Sequence, residues 1–115
     1  MIEERELEEE VQMYAKIGEK MVKWVYAPLA KQIVKNLEAK SLIVLDLGAG
    51  PGLLSIELDK LLPEAKIIEV DLSNEMLQLA KKNAEKACMP NYEIKLGRAE
   101  EIPLESGSID LVVTQ

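Results

Sequence analysis

Histidine is absent from the 115-residue sequence, and cysteine occurs once, at Cys88. Without histidine or a cysteine pair, the chain has neither the usual ligands of a zinc site nor a histidine-based catalytic triad. Acid–base chemistry therefore falls to Asp, Glu, Lys or Tyr, or to a partner chain. A lone cysteine excludes an intrachain disulfide and is compatible with a reducing compartment. Positive charge is also short: 14 Lys and Arg stand against 21 Asp and Glu, for a formal net charge of −7. No stable nucleic-acid binding is expected of such a chain, although a nucleic acid stays open as a transient substrate. No apolar run approaches the roughly 20 residues of a membrane span, so no membrane association is expected. The acidic opening, Glu3 to Glu10, is the opposite of a signal-peptide n-region, and a cytoplasmic location is expected. Internal repeats and low-complexity tracts are missing too.

What is present is an ordinary globular mix, 48% apolar and 30% charged. The length fits one domain, large enough to bury roughly two-thirds of its unfolded surface. Leu7, Val11, Tyr14, Met21, Val22, Val25, Leu29, Ile33 and Leu37 recur at helical steps, so residues 1–40 read as an N-terminal helical segment. Gly18 weakens that run, and Pro28 is expected to open a new helix, giving two or three pieces. Glu8–Glu9–Glu10 reads as a solvated helix face. Trp24 and Tyr26 read first as core residues, with a place in a pocket wall as the alternative. Cys88 reads as a half-buried apolar filler.

From Ser41 the pattern changes. Leu42–Leu47, Lys66–Asp71, Glu93–Leu96 and Ile109–Thr114 read as strands. Leu53–Leu62 and Asn74–Ala87 read as helices, the second capped by Ser73. Pro103 and Ser106–Gly107–Ser108 signal loop and turn. This alternation predicts an α/β fold, a Rossmann-like parallel sheet of about four strands with flanking helices and right-handed crossovers. The strands are apolar at consecutive positions, as parallel strands covered on both faces tend to be.

The stretch VLDLGAGPG, Val44 to Gly52, carries the chemistry. A buried strand ends in Gly48, Gly50 and Gly52, and a helix follows. Glycine lets the chain reverse quickly and lets a ligand lie against main chain, while the next helix offers its first N–H groups to an anionic group. A dinucleotide fingerprint, G-x-G-x-x-G, would need glycine where Leu53 stands, and no G-K-[ST] follows for a triphosphate loop. A cofactor with a carboxylate suits this loop better than one with a pyrophosphate. Asp71, about 20 residues on, ends the second strand, where an acid can accept from both hydroxyls of a ribose. Asp46 as a loop brace and Asp71 as a plain helix-entry acid are the structural alternatives.

VLDLGAGPG, EVDLSNEML (Glu69 to Leu77), GRAEEIP (Gly97 to Pro103) and SIDLVVTQ (Ser108 to Gln115) together resemble the class I S-adenosylmethionine-dependent methyltransferases. The resemblance covers residues 42–115. It implies that Asp46, Gly48, Ala49 and Gly50 hold the amino-acid end of the cofactor and that Gly52 lets the next helix start close by. It assigns the ribose to Asp71, the adenine faces to Leu72 and Met76, and a backbone donor to Ala99. Before that donor the family commonly has an aspartate that accepts from the adenine amine. Here Arg98 stands in its place and has no acceptor; Glu100 is the nearest carboxyl that could serve.

In the family the sheet continues through three more strands, which carry most of the acceptor-selecting residues. Residues 41–115 are therefore expected to be an incomplete cofactor domain, the N-terminal half. The fourth strand would be an open apolar edge, covered by a second copy, another chain or the N-terminal helices. The implied reaction is transfer of the sulfonium methyl group of S-adenosylmethionine to an unidentified acceptor, a small molecule being favoured, with S-adenosylhomocysteine as product. No catalytic residue is assigned, although Gln115 stands at the lip of the fourth strand. A non-catalytic binding module or fragment, and a nicotinamide dinucleotide domain, are the alternatives.

Overall fold

A computed structural model describes residues 17–37, 42–98 and 109–114. Its centre is a four-stranded parallel sheet: β1 (Ile43–Leu47), β2 (Lys66–Asp71), β3 (Tyr92–Leu96) and β4 (Leu111–Thr114), in the order β3-β2-β1-β4. The Rossmann-like α/β arrangement is as expected. Predicted strand and helix ends fall within two residues of the observed ones. The register pairs Asp46 with Glu69 on one side and with Val113 on the other. Among the described residues β4 is paired on its β1 side alone, and Val112 on it is exposed.

The helices are α1 (Ala27–Lys35), α2 (Leu53–Leu61) and α3 (Asn74–Lys86). They pack on the sheet face that bears Val44, Ile67 and Val113, where Leu54, Leu58 and Leu62 of α2 and its exit, Ala84 of α3 and Ala30 of α1 complete the core. A smaller cluster, Leu45, Ile68 and Val70, forms on the opposite face. A strand whose neighbours are buried on both faces has no room for alternation, which explains the continuous apolar runs.

Pro28 opens α1 at one of its first two positions, as expected, yet the backbone before it is helical as well. A π-helical turn over Val22–Tyr26 joins the two stretches, with the Ala27 N–H donating to the Val22 carbonyl. Proline has no N–H and its ring would strike the carbonyl four residues back, so a widened turn just ahead of it accommodates the ring without ending the helix. Trp24 departs from the expected core packing. It is 70% exposed, with Lys23 Nζ 5.2 Å from its ring centroid. Tyr26 does pack against the core. Glu8–Glu9–Glu10 lies outside the described residues.

Cys88 is exposed, not a half-buried filler. It is the left-handed residue, φ 58, that ends α3. The Met89 N–H donates to the Ala84 carbonyl at 3.0 Å and the Cys88 N–H to the Glu85 carbonyl at 3.1 Å, the hydrogen-bond pair of a Schellman ending. Glycine takes that conformation without the Cβ penalty. Cys88→Gly is therefore expected to raise stability by about 0.5–1 kcal/mol, read as a higher urea midpoint with an unchanged slope. No change in midpoint would contradict the strain assigned to Cys88.

Candidate functional site

The site forms at the C-terminal ends of β1, β2 and β3. Leu47, Gly48, Val70, Asp71, Leu72, Gly97 and Arg98 line a cavity of about 350 Å³. α2 leads from β1 to β2 and α3 on to β3 on one side while β4 lies on the other, so β1 is where the strand order reverses, and such switch points leave a crevice beyond the strand ends.

The loop from Gly48 to Gly52 is stitched to the end of β2. Gly48 and Ala49 donate to the Val70 carbonyl at 2.8 and 3.0 Å, and Gly50 donates to Asp71 Oδ2 at 2.8 Å. The N–H groups of these three residues thus turn toward β2, whereas the sequence suggested a loop backbone left open to a ligand. The first turn of α2 is where donors to an anionic group belong, since helix-starting N–H groups have no partner within the helix. Asp71 serves both sides of the crevice: its Oδ1 accepts from the Ser73 N–H at 2.9 Å. Ser73 caps α3 as expected, its Oγ accepting from the Met76 N–H at 3.2 Å.

The glycines differ in role. Gly50, φ +56, has nothing within 4 Å of the position a Cβ would take. That open space can admit a ligand. Gly52, φ +77, is buried, and a Cβ there would meet Glu69 Oε1 and the Ala80 methyl group. Gly52 is therefore a packing position inside the protein. Its closeness to the helix start is as expected, but its bare side faces Glu69 rather than the crevice.

Of the remaining expected site residues, Leu72 is 68% exposed and lines the cavity, and Met76 stands half-exposed on the first turn of α3. Arg98 is exposed at the cavity edge. Ala49 is buried. Asp46 is fully buried behind the loop, accepting from Ser55 Oγ at 2.6 Å, so its place is that of a brace. Ala99, Glu100 and Gln115 lie outside the described residues.

Three residues that hold the loop were not singled out in the sequence. Ser55 is fully buried against Asp46. Asn83 of α3 donates from Nδ2 to the Pro51 carbonyl at 2.8 Å. Glu69 is fully buried on β2, and neither of its carboxylate oxygens has a hydrogen-bond partner among the described residues. Burial pushes its carboxyl up, to about 7; the Ser55 hydroxyl lowers it in part, and the Asp46 charge raises it. The single Ser55 hydrogen is committed to Asp46, so the upward direction prevails. A charged residue between Ile68 and Val70 in a buried strand was the available signal for Glu69. Nothing local marks Asn83.

The methyltransferase-domain family model matches residues 38–115. Demethylmenaquinone methyltransferase of Lactococcus lactis is 33% identical over 84 residues, 72% of this chain and 33% of that protein. A putative S-adenosyl-L-methionine-dependent methyltransferase of Methanococcus maripaludis superposes with a TM-score of 0.72 at 30% identity, covering 88% of this chain and 48% of that one. PKMT2 of Rickettsia typhi, solved in complex with AdoHcy, superposes with a TM-score of 0.58 at 28% identity, covering 65% of this chain and 15% of that one. Among the curated relatives first found, the chain spans 20% to 33% of their length. By the match over residues 38–115 and the shared sheet, this chain belongs to the class I S-adenosylmethionine-dependent methyltransferase family.

Proposed function

We propose that the crevice beyond β1 and β2 seats S-adenosylmethionine and that residues 41–115 are the cofactor-binding unit of a methyltransferase, with residues 1–40 as a helical lead. The observation that carries this is the join of Gly50 to Asp71 at the mouth of a cavity with apolar walls. The fit is chemical as well as spatial. Asp71 presents a carboxylate for ribose hydroxyls, Leu72 and Met76 present apolar surface for adenine, and the space beside Gly50 admits the amino-acid end. Leu53 starts α2 where a dinucleotide loop would need its third glycine, which disfavours the nicotinamide reading.

When bound, the cofactor supplies an already activated sulfonium methyl group. The protein's part is then alignment and exclusion of water, and a dedicated base is optional, which suits a chain without histidine. The Gly48–Gly52 loop and Asp71 fix the donor; Leu47 and Val70 keep the floor of the crevice dry. Arg98 cannot accept from the adenine amine, so its planar guanidinium is assigned to stacking or to a solvent-side contact. The acceptor we favour is a small molecule. Among the described residues no helix is long and apolar enough to cross a membrane, and a cytoplasmic enzyme is proposed. Pairing of a second copy along the outer edge of β4 is the proposed oligomer contact.

Asp71→Ala is expected to weaken S-adenosylhomocysteine binding by about 1.5–3 kcal/mol, because it removes charge-assisted hydrogen bonds. Calorimetry on the native chain and the variant reads this directly, and equal affinities would remove Asp71 from the seat. Binding without methylation of any acceptor in a broad panel would favour a non-catalytic module.

A further inference from the structure

The crevice and its loop leave one group unused. Glu69 lies beneath the loop, fully buried, with both oxygens unpartnered among the described residues and its carboxyl against Gly52. It faces Asp46 across the β1–β2 register, Ser55 from α2 and Ala80 from α3; on β3, Tyr92 feels its charge. Asp71 follows two residues later on its own strand. Among the described residues no cation acts on it. Two buried carboxyl groups on neighbouring strands cannot both ionise cheaply, and burial together with the Asp46 charge favours the neutral form of Glu69.

We propose that Glu69 is a positioning residue for the cofactor loop: it carries a proton under Gly52, bridging β2 to the Asp46–Ser55 pair, and so makes cofactor binding depend on that proton. In the neutral form the Glu69 hydroxyl donates to Asp46 or to Ser55 Oγ, whose own hydrogen points to Asp46. In the ionised form two negative charges share a dry space, and the way for Glu69 to reach water leads past Gly52. The loop is then displaced from the geometry that joins Gly50 to Asp71. The rise of the Glu69 carboxyl to about 7 puts the change in the neutral range, where a chain without histidine has few other titrating groups.

This inference rests on the reading of the crevice as the cofactor seat. The test is calorimetric binding of S-adenosylhomocysteine to the native chain and to Glu69→Gln at a series of pH values. Native affinity is expected to fall on the order of tenfold from about pH 6 to about pH 8.5, and the Gln variant should lose that slope, since it keeps the shape without the proton. Equal slopes in the two proteins, or a flat native profile, would overturn the inference. If Glu69→Gln does not fold, infrared titration of the native chain replaces it: a protonated carboxyl band that vanishes across neutrality supports the proposal, and its absence overturns it. A native chain that binds no S-adenosylhomocysteine at any pH defeats the seat itself, and that result is distinct from binding with a flat profile.

Discussion

Gly52→Ala is expected to destabilise the fold by about 2–4 kcal/mol, combining a left-handed backbone penalty of about 1–2 kcal/mol with the cost of overpacking. The backbone contribution comes from φ +77. The packing contribution comes from a methyl group directed at Glu69 Oε1, with the Ala80 methyl at 3.3 Å behind it. Glu69 can retreat only within a closed core, because it is itself fully buried. Gly50→Ala is the control. It has the same sign of φ and open space around it, so only the backbone penalty of about 1–2 kcal/mol applies. Urea unfolding of the two variants separates the packing cost from the conformational one. Equal losses would show that Gly52 is not a packing position.

The second large effect is a pH-dependent gain. Glu69→Gln is expected to be more stable than the native chain by about 3 kcal/mol near pH 8, and to lose most of that advantage near pH 4.5. The sign follows from the two protonation states. Glu69 has its carboxyl at about 7 in the folded chain against an ordinary 4.5. Between those values the folded state binds the extra proton, so native stability declines as pH rises from 4.5 to 7 and stays low above it. Glutamine has no proton to lose there. Denaturation midpoints of both proteins at several pH values read the difference, and parallel profiles would mean that Glu69 ionises as an ordinary surface carboxylate.

These two positions also mark how far the sequence could be read. Strand ends and helix starts were legible because they depend on local signals: the apolar run before Asp46, the Ser73 cap, the alternation of elements. Asp71 and the loop were legible as a pair because their spacing is fixed by one strand–helix–strand unit. The direction of the loop's N–H groups was not, since Val70 receives Gly48 and Ala49 only once β2 lies beside β1. Gly52 was read as serving the ligand because a sequence does not show which side of a glycine faces Glu69. Asn83 escaped for the same reason: its bond to Pro51 joins residues 32 apart that share no motif. Trp24 and Cys88 were misplaced because an apolar side chain alone does not say whether a helix presents it outward or ends on it.

The order β3-β2-β1-β4 bears on how the crevice comes into being. The described residues that line it, from Leu47 to Arg98, precede β4 in the chain, and β4 joins the sheet from the other side of β1. The pairing of Val44 with Leu111 closes the longest loop of the sheet, and non-local closures are the slow ones. If β4 docks last, a nucleoside ligand present during folding would add its binding free energy to the β1–β3 unit by mass action.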